Sequence, residues 1–182
     1  MINYLIIGVC IIILLYIFIT FNSLIKMRNL VREAFSTMDI YLKKRWDLVP
    51  NLVEVVKGYA KHERETLEKV ISARATSYNA MSNQQKMNSD KQLSNDISRI
   101  LAISESYPDL KANTHFIQLS KELSQIETDI ANSRKYYNGT VRNFNDKVQM
   151  FPSNIIAFLF RFKSENMFAI TSEEKENVKV EF

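Results

Sequence analysis

Residues 116–148 read FIQLSKELSQIETDIANSRKYYNGTVRNFNDKV. Apolar or small side chains recur there every three or four residues, at Phe116, Leu119, Leu123, Ile126, Ile130, Ser133, Tyr137, Val141, Phe144 and Val148. This spacing places them on one face of an α-helix. A stripe sustained over about thirty residues predicts a long helix that packs at a shallow angle on its neighbours, as in bundles and coiled coils.

The rest of the chain also favours helices. Of 182 residues, three are glycine and three are proline, which is too few for a protein with many strands and tight turns. Further apolar stripes with helical spacing run through residues 24–42, 52–71 and 93–104. We therefore predict an all-α protein, an antiparallel up-down helical bundle of about four long helices.

Interruptions in the pattern predict where these helices end. They lie at Pro50, in the polar stretch 79–91, at Tyr107-Pro108 and at Pro152. The first helix is expected to end near Arg45, with Asp47 as the cap of the second. The polar stretch is interpreted as a surface loop, and Ser153 as the cap of a short last segment.

An apolar segment opens the sequence. Residues 4–21 read YLIIGVCIIILLYIFITF and carry no charge. About twenty such residues, at 1.5 Å each, cross a hydrocarbon core of roughly 30 Å. A cleaved signal peptide would need a basic start and a small-residue cleavage site, and the sequence has neither. We predict a transmembrane anchor at residues 1–22.

The distribution of charge predicts the orientation of that anchor. No charged side chain precedes it, and six basic residues follow, at Lys26, Arg28, Arg32, Lys43, Lys44 and Arg45. Basic residues are enriched on the cytoplasmic side of membrane helices. We expect a short extracellular N-terminus, a cytoplasmic bundle at residues 23–165 and a charged tail at 166–182, which ends in a weak strand-like alternation.

No pattern in the sequence indicates catalysis. His62 begins a stretch similar to a zinc-protease motif, but Thr66 stands where the second histidine is needed. The other histidine, His115, is distant in sequence, and Cys10 lies in the apolar segment without a base. Basic residues alternate with acidic ones except at 43–45, which argues against nucleic-acid binding. We predict no enzyme, no cofactor, no metal and no small-molecule substrate.

The segment after Pro152 is a candidate membrane contact. An up-down bundle whose first helix leaves the membrane returns its fourth helix toward it. The rings of Phe158, Phe160 and Phe162 could then enter the bilayer interface, with Arg161 and Lys163 at the lipid headgroups. The alternative is that these rings cap the end of the bundle core.

Several short motifs together resemble the LemA family of bacterial membrane proteins. They are FNSL at 21–24, KKRWDLVPNLVEVVKGYAKHE at 43–63, ARA at 73–75, YPDLKAN at 107–113, YYN at 136–138 and FPSNIIA at 151–157. The resemblance implies one membrane helix and an antiparallel helical bundle. It implies no established activity, cofactor or substrate.

These observations favour a membrane-anchored helical scaffold that acts through the lipid bilayer, through self-association or through other membrane proteins. Trp46 is a possible partner contact, since tryptophan is enriched at binding hot spots, although a packed bundle end is the alternative. The second functional hypothesis is a non-catalytic accessory or regulatory subunit of a membrane protease or another membrane complex.

Overall fold

A computed structural model describes residues 1–72 and 77–168 of the chain. The regular structure in these ranges is helical. It comprises α1 (Ile2–Lys57), α2 (Arg64–Ser72), α3 (Asn83–Glu105), α4 (Pro108–Lys111), α5 (Thr114–Gln149) and α6 (Ser153–Leu159), with 3-10 turns at Lys61–Glu63 and Tyr78–Ala80. The all-α prediction is confirmed, with three long helices in the described part and a second helix that is short. The alternation predicted at Val178, Val180 and Phe182 lies outside the described residues, as does the ARA motif.

Helices α1 and α5 each contribute to two compact units. The first unit contains residues 1–37 and 133–168. Within the described residues, the second contains 38–72 and 77–132. Helices α1 and α5 therefore each supply side chains to both units, whereas α3 lies in the second unit alone.

In the first unit, α1 and α5 run antiparallel. Phe35 packs edge-on against Tyr137 with 5.7 Å between ring centroids, and Phe21 packs against Phe160 beyond the far end of α5. The core between them is formed by buried apolar side chains of both helices, including Leu24, Val31, Ala34, Val141 and Phe144. These positions belong to the stripes predicted from the sequence.

In the second unit, α1 runs parallel to α3 and antiparallel to α5. Asp39 of α1 binds Lys86 of α3, whereas Tyr59, just past the end of α1, accepts a hydrogen bond from Asn113, just before α5. The predicted stripe of α5 is buried at Phe116, Leu123, Ile126 and Ile130. This is the up-down order expected from the sequence.

The prediction that the first helix ends near Arg45 is wrong, because α1 passes through Pro50 and continues to Lys57. A proline inside a helix removes one hydrogen bond and costs about 3 kcal/mol or more. Buried side chains on both sides of it offset that cost, at Leu48, Val49, Leu52, Val53 and Val56. Asp47 consequently caps no helix and instead pairs with Lys43 one turn earlier.

The prediction of a surface loop at 79–91 is also wrong, because α3 begins at Asn83. Ser82 accepts a hydrogen bond from the backbone N–H of Gln85, and the Gln85 side chain accepts one from the N–H of Ser82. This capping box satisfies two backbone donors at the helix start. Met87 and Asp90 are buried, so the polar stretch extends the stripe of α3.

Candidate membrane-facing site

The first eighteen or so residues of α1 are apolar and face outward. From Ile2 to Ile19 the large apolar side chains are exposed except for the half-buried Ile17, and this stretch is long and apolar enough to cross a membrane. Burial begins at Thr20 and Leu24, where the core of the first unit starts. The helix is thus compatible with a membrane anchor, and its apolar segment ends near Phe21.

Helix α6 carries two apolar stripes instead of one. Ser153, Ile156 and Ala157 are buried against the first unit. Ile155, Phe158 and Leu159, which we call the outer stripe, are 59%, 86% and 67% exposed. A helix that is apolar all round is normally buried in protein or in membrane.

The residue that follows the outer stripe contacts the end of the apolar segment of α1. The residue after α6, Phe160, is 45% exposed. Its ring lies 4.7 Å from that of Phe21, between centroids. Met150 and Phe151, just before α6, are 62% and 80% exposed. Six large apolar side chains are thus exposed between residues 150 and 160, and exposed apolar side chains in such number often mark an interaction site.

Phe162 differs from the other two phenylalanines of the predicted membrane contact. It is 8% exposed, and its ring packs on Phe21 at 5.9 Å and on Phe144 at 6.4 Å. The Arg28 guanidinium lies 5.2 Å from the centre of the same ring. Phe162 therefore belongs to the core, whereas Phe158 and Phe160 are the exposed rings.

A sharp turn at Arg161 separates the exposed rings from the buried one. Phe162 donates its N–H to the carbonyl of Ala157 at 2.8 Å, and Arg161 donates to that of Phe158 at 3.1 Å. Arg161 has φ 58°, in the left-handed region. This is a Schellman helix end, a position normally taken by glycine. The expected role of Ser153 as a helix cap is wrong, since its hydroxyl donates to the carbonyls of Lys147 and Met150 at the end of α5.

The chain after this turn is held along α5 by asparagine side chains. Asn145 donates to the carbonyl of Glu165 and accepts from its N–H, at 2.9 and 2.8 Å. Asn138 makes the same pair of bonds with Phe168, at 3.0 and 2.8 Å. The predicted tail thus begins with residues packed on the bundle. Single asparagines on a helix give no sequence signal for this role, so sequence analysis missed it.

Tyr137 completes this attachment. Its hydroxyl donates to the carbonyl of Asn166 at 2.8 Å. Burial, with a smaller contribution from the Glu165 carboxylate, raises the pKa of Tyr137 to about 12. The phenol therefore stays a donor throughout the physiological pH range and fixes the segment that follows α6.

The other predicted contact residue, Trp46, lies in the second unit and is buried. It is 8% exposed, and its ring lies 5.6 Å from that of Tyr78. The Tyr78 hydroxyl donates to Asp39 at 2.7 Å, and burial followed by the Asp39 charge raises the pKa of this phenol. Trp46 is therefore packed inside the second unit, and its role as a partner contact stays a prediction.

Arg45 forms a buried polar centre that the sequence did not reveal. It is 2% exposed and lies within 2.8 Å of Asp90, 2.7 Å of Glu127 and 2.9 Å of Ser94. The guanidinium thereby joins α1, α3 and α5. Helix α1, which the sequence predicted to end near Arg45, continues for three more turns beyond it. No cluster of three or more His, Cys, Asp or Glu side chains suited to a metal occurs among the residues that the structure describes.

Comparison with known proteins identifies the family. The LemA family model matches residues 34–182, which is more than half of the chain. The chain belongs to the LemA family. It is 29% identical over 137 residues to the protein LemA of Metamycoplasma hominis, covering 75% of this chain and 63% of that protein. The resemblance seen in the motifs is thereby confirmed.

Two further relatives are the magnetosome proteins MamQ 1 and MamQ 2 of Paramagnetospirillum magneticum. Each is 27% identical over 82 residues, covering 45% of this chain and 30% of the relative. The chain spans less than two thirds of the curated relatives that it matches. LemA family membership and the apolar part of α1 together indicate a membrane-associated protein.

Proposed function

We propose that this LemA-family protein is a membrane-anchored helical scaffold whose first unit rests on the bilayer through a second contact, the outer stripe of α6. The single observation that supports this most is the ring contact between Phe21 and Phe160. It ties the exposed apolar surface around α6 to the inner end of the anchor.

The length of the anchor sets the depth of that contact. Residues 4–21 span about 27 Å as a helix, close to the roughly 30 Å of a hydrocarbon core. Phe21 then lies at the boundary between hydrocarbon and headgroups. Phe160 shares that depth through the ring contact, and the outer stripe belongs to the helical turn just before it. Aromatic and aliphatic side chains at this depth exchange contact with water for contact with lipid. This transfer is favourable by about 25 cal/mol per Å² of apolar area.

A second contact gives an anchored protein a defined orientation. An anchor alone leaves the attached body free to tilt and rotate, whereas two attachments hold one face of the first unit against the lipid. The remaining faces are then presented to partners in a constant direction. We therefore propose that the protein acts by contact with lipid, with copies of itself or with other membrane proteins, and performs no catalysis. The basic residues after the anchor place the body in the cytoplasm in this proposal.

Photo-crosslinking in living cells tests the proposal. The benzophenone analogue of phenylalanine is introduced at Phe158, and at Asn83 in the second unit as an exposed control. The proposal requires lipid adducts at position 158 and none at position 83. Adducts at 158 with protein only, or adducts with neither, would overturn the membrane contact.

A further inference from the structure

We infer that Arg161 binds the phosphate groups of anionic lipids and so makes the second membrane contact selective for anionic bilayers. The inference rests on the proposed function, because it requires α6 to lie at the bilayer surface. It adds a ligand class and a residue to a contact that would otherwise be apolar.

The backbone of Arg161 has a conformation that glycine normally adopts. Among the described residues, Arg161 is the one non-glycine residue with positive φ. Cβ crowds the backbone in this conformation, and glycine avoids that penalty. A strained residue kept at a helix end is a reason to look for a role of its side chain.

The position of Arg161 indicates what that role is. Phe160 before it is part of the exposed apolar surface, and Phe162 after it is buried in the core. Arg161 itself is exposed, as is Lys163. The guanidinium is thus attached at the border between the surface proposed to enter lipid and the folded unit. The headgroup layer lies at such a border.

The charges around this turn make no ion pair with the residues that the structure describes. Arg28 lies over the Phe162 ring. We call Arg28, Arg161 and Lys163 the basic rim. None of the three makes an ion pair with a described residue, and the Nε atom of Arg28 is buried without a hydrogen-bond partner among those residues. In the second unit, by contrast, Arg45, Lys86 and Lys111 pair with carboxylates.

Anionic lipid supplies the missing partner. The guanidinium presents parallel N–H donors that match two phosphate oxygens. Each basic side chain near an anionic bilayer adds attraction equivalent to about a fivefold change in partition. An apolar surface bordered by cations that make no ion pair among the described residues therefore fits an anionic lipid surface better than it fits a neutral protein groove.

The test measures lipid composition next to the contact in the full-length protein. Phe158→Trp places an indole in the outer stripe, and the other tryptophan, Trp46, is buried in the second unit. The protein is reconstituted in nanodiscs of phosphatidylcholine and phosphatidylglycerol, with either lipid brominated in turn. Quenching by brominated phosphatidylglycerol at equal mole fraction should exceed that by brominated phosphatidylcholine by about fivefold.

Variants at Arg161 test whether this side chain causes the preference for anionic lipid. Arg161→Gln should lower the preference by the share of one basic side chain, about fivefold, and Arg161→Lys should retain most of it. Lys121→Gln, which removes an exposed charge in the second unit, should leave it unchanged. Arg161→Gly should lower the preference as Arg161→Gln does, while the protein melts no lower than wild type, because glycine favours this conformation. A preference that neither Arg161→Gln nor Arg161→Gly changes would overturn the inference.

The outcomes separate the inference from the proposed function. Quenching by neither lipid would contradict the membrane contact itself. Equal quenching by both lipids would leave the contact in place and overturn only the role of Arg161.

Discussion

The rings of Phe21 and Phe160 lie 4.7 Å apart, with their planes inclined by 55°. One belongs to the last residues of the apolar segment of α1, and the other follows the last turn of α6. Ring pairs at this distance and tilt are favourable, by about 0.5–1.5 kcal/mol beyond the area that they bury. The contact lies within the first unit and fixes the end of α6 beside the end of the apolar segment of α1.

Phe162→Ser and Phe158→Ser should have opposite consequences. Removing the buried Phe162 ring leaves a cavity, and such truncations cost about 3–5 kcal/mol. At 2–4 °C per kcal/mol for a chain of this size, the melting temperature should fall by about 6–20 °C. Phe158→Ser should leave it within about 2 °C of wild type, because the ring is exposed. Thermal melts followed by circular dichroism in detergent measure both. Equal melting temperatures would show that Phe162 is not a core residue.

The difference between these rings was not predictable from their spacing. Phe158, Phe160 and Phe162 alternate, so sequence analysis gave them one role. Helix α6 ends after Leu159, and the turn at Arg161 directs Phe162 back into the core. A glycine at position 161 would have predicted that turn, whereas an arginine gives no such signal.

The long stripe of α5 was predictable because one face of this helix is buried along nearly its whole length. The helical conformation at Pro50 and in most of the stretch 79–91 was not predictable, since tertiary burial overrides local preference there. Arg45 was missed for a related reason. Its carboxylate partners lie 45 and 82 positions away, and only the folded arrangement of α1, α3 and α5 brings them together.

Arg45→Met should destabilise the second unit strongly. It leaves the carboxylate of Asp90 buried without its guanidinium, and breaking a buried pair costs about 3–5 kcal/mol. The double variant Arg45→Met/Asp90→Leu should recover part of that loss, because it removes the buried charge as well. Lys43→Met, which breaks an exposed pair with Asp47, should change stability by less than about 1 kcal/mol. Urea unfolding in detergent measures all three. If Arg45→Met matches Lys43→Met, the network does not hold the helices together.

Asp96→Asn should stabilise the protein at neutral pH. Burial raises the pKa of Asp96, and the nearby Arg99 offsets this only in part. A carboxyl group whose pKa is higher in the folded state opposes folding while it is charged, so stability increases as the pH falls. The gain from asparagine should be present at pH 7 and vanish near pH 4, below which both states are protonated. Melts of Asp96→Asn and of the exposed control Asp109→Asn measure it. A gain equal at both pH values would contradict the assignment.

The orientation of the anchor predicts how a cysteine at position 83 reacts. In a Cys10→Ser background, Asn83→Cys exposes one thiol at the start of α3. It should resist a membrane-impermeant maleimide in intact cells and react fully after permeabilisation, because six basic residues follow the anchor. Labelling before permeabilisation would place the body outside.

The depth of residue 158 in a bilayer tests the central proposal most directly. A nitroxide is attached to Phe158→Cys in the full-length Cys10→Ser protein in nanodiscs, and to Asn83→Cys as the aqueous control. The collision rate of each nitroxide with oxygen, which concentrates in lipid, is compared with its collision rate with a water-soluble nickel chelate. The second contact predicts that the label at 158 is reached by oxygen and shielded from nickel, and that the label at 83 is reached by nickel. Nickel accessibility at 158 equal to that at 83 would contradict it.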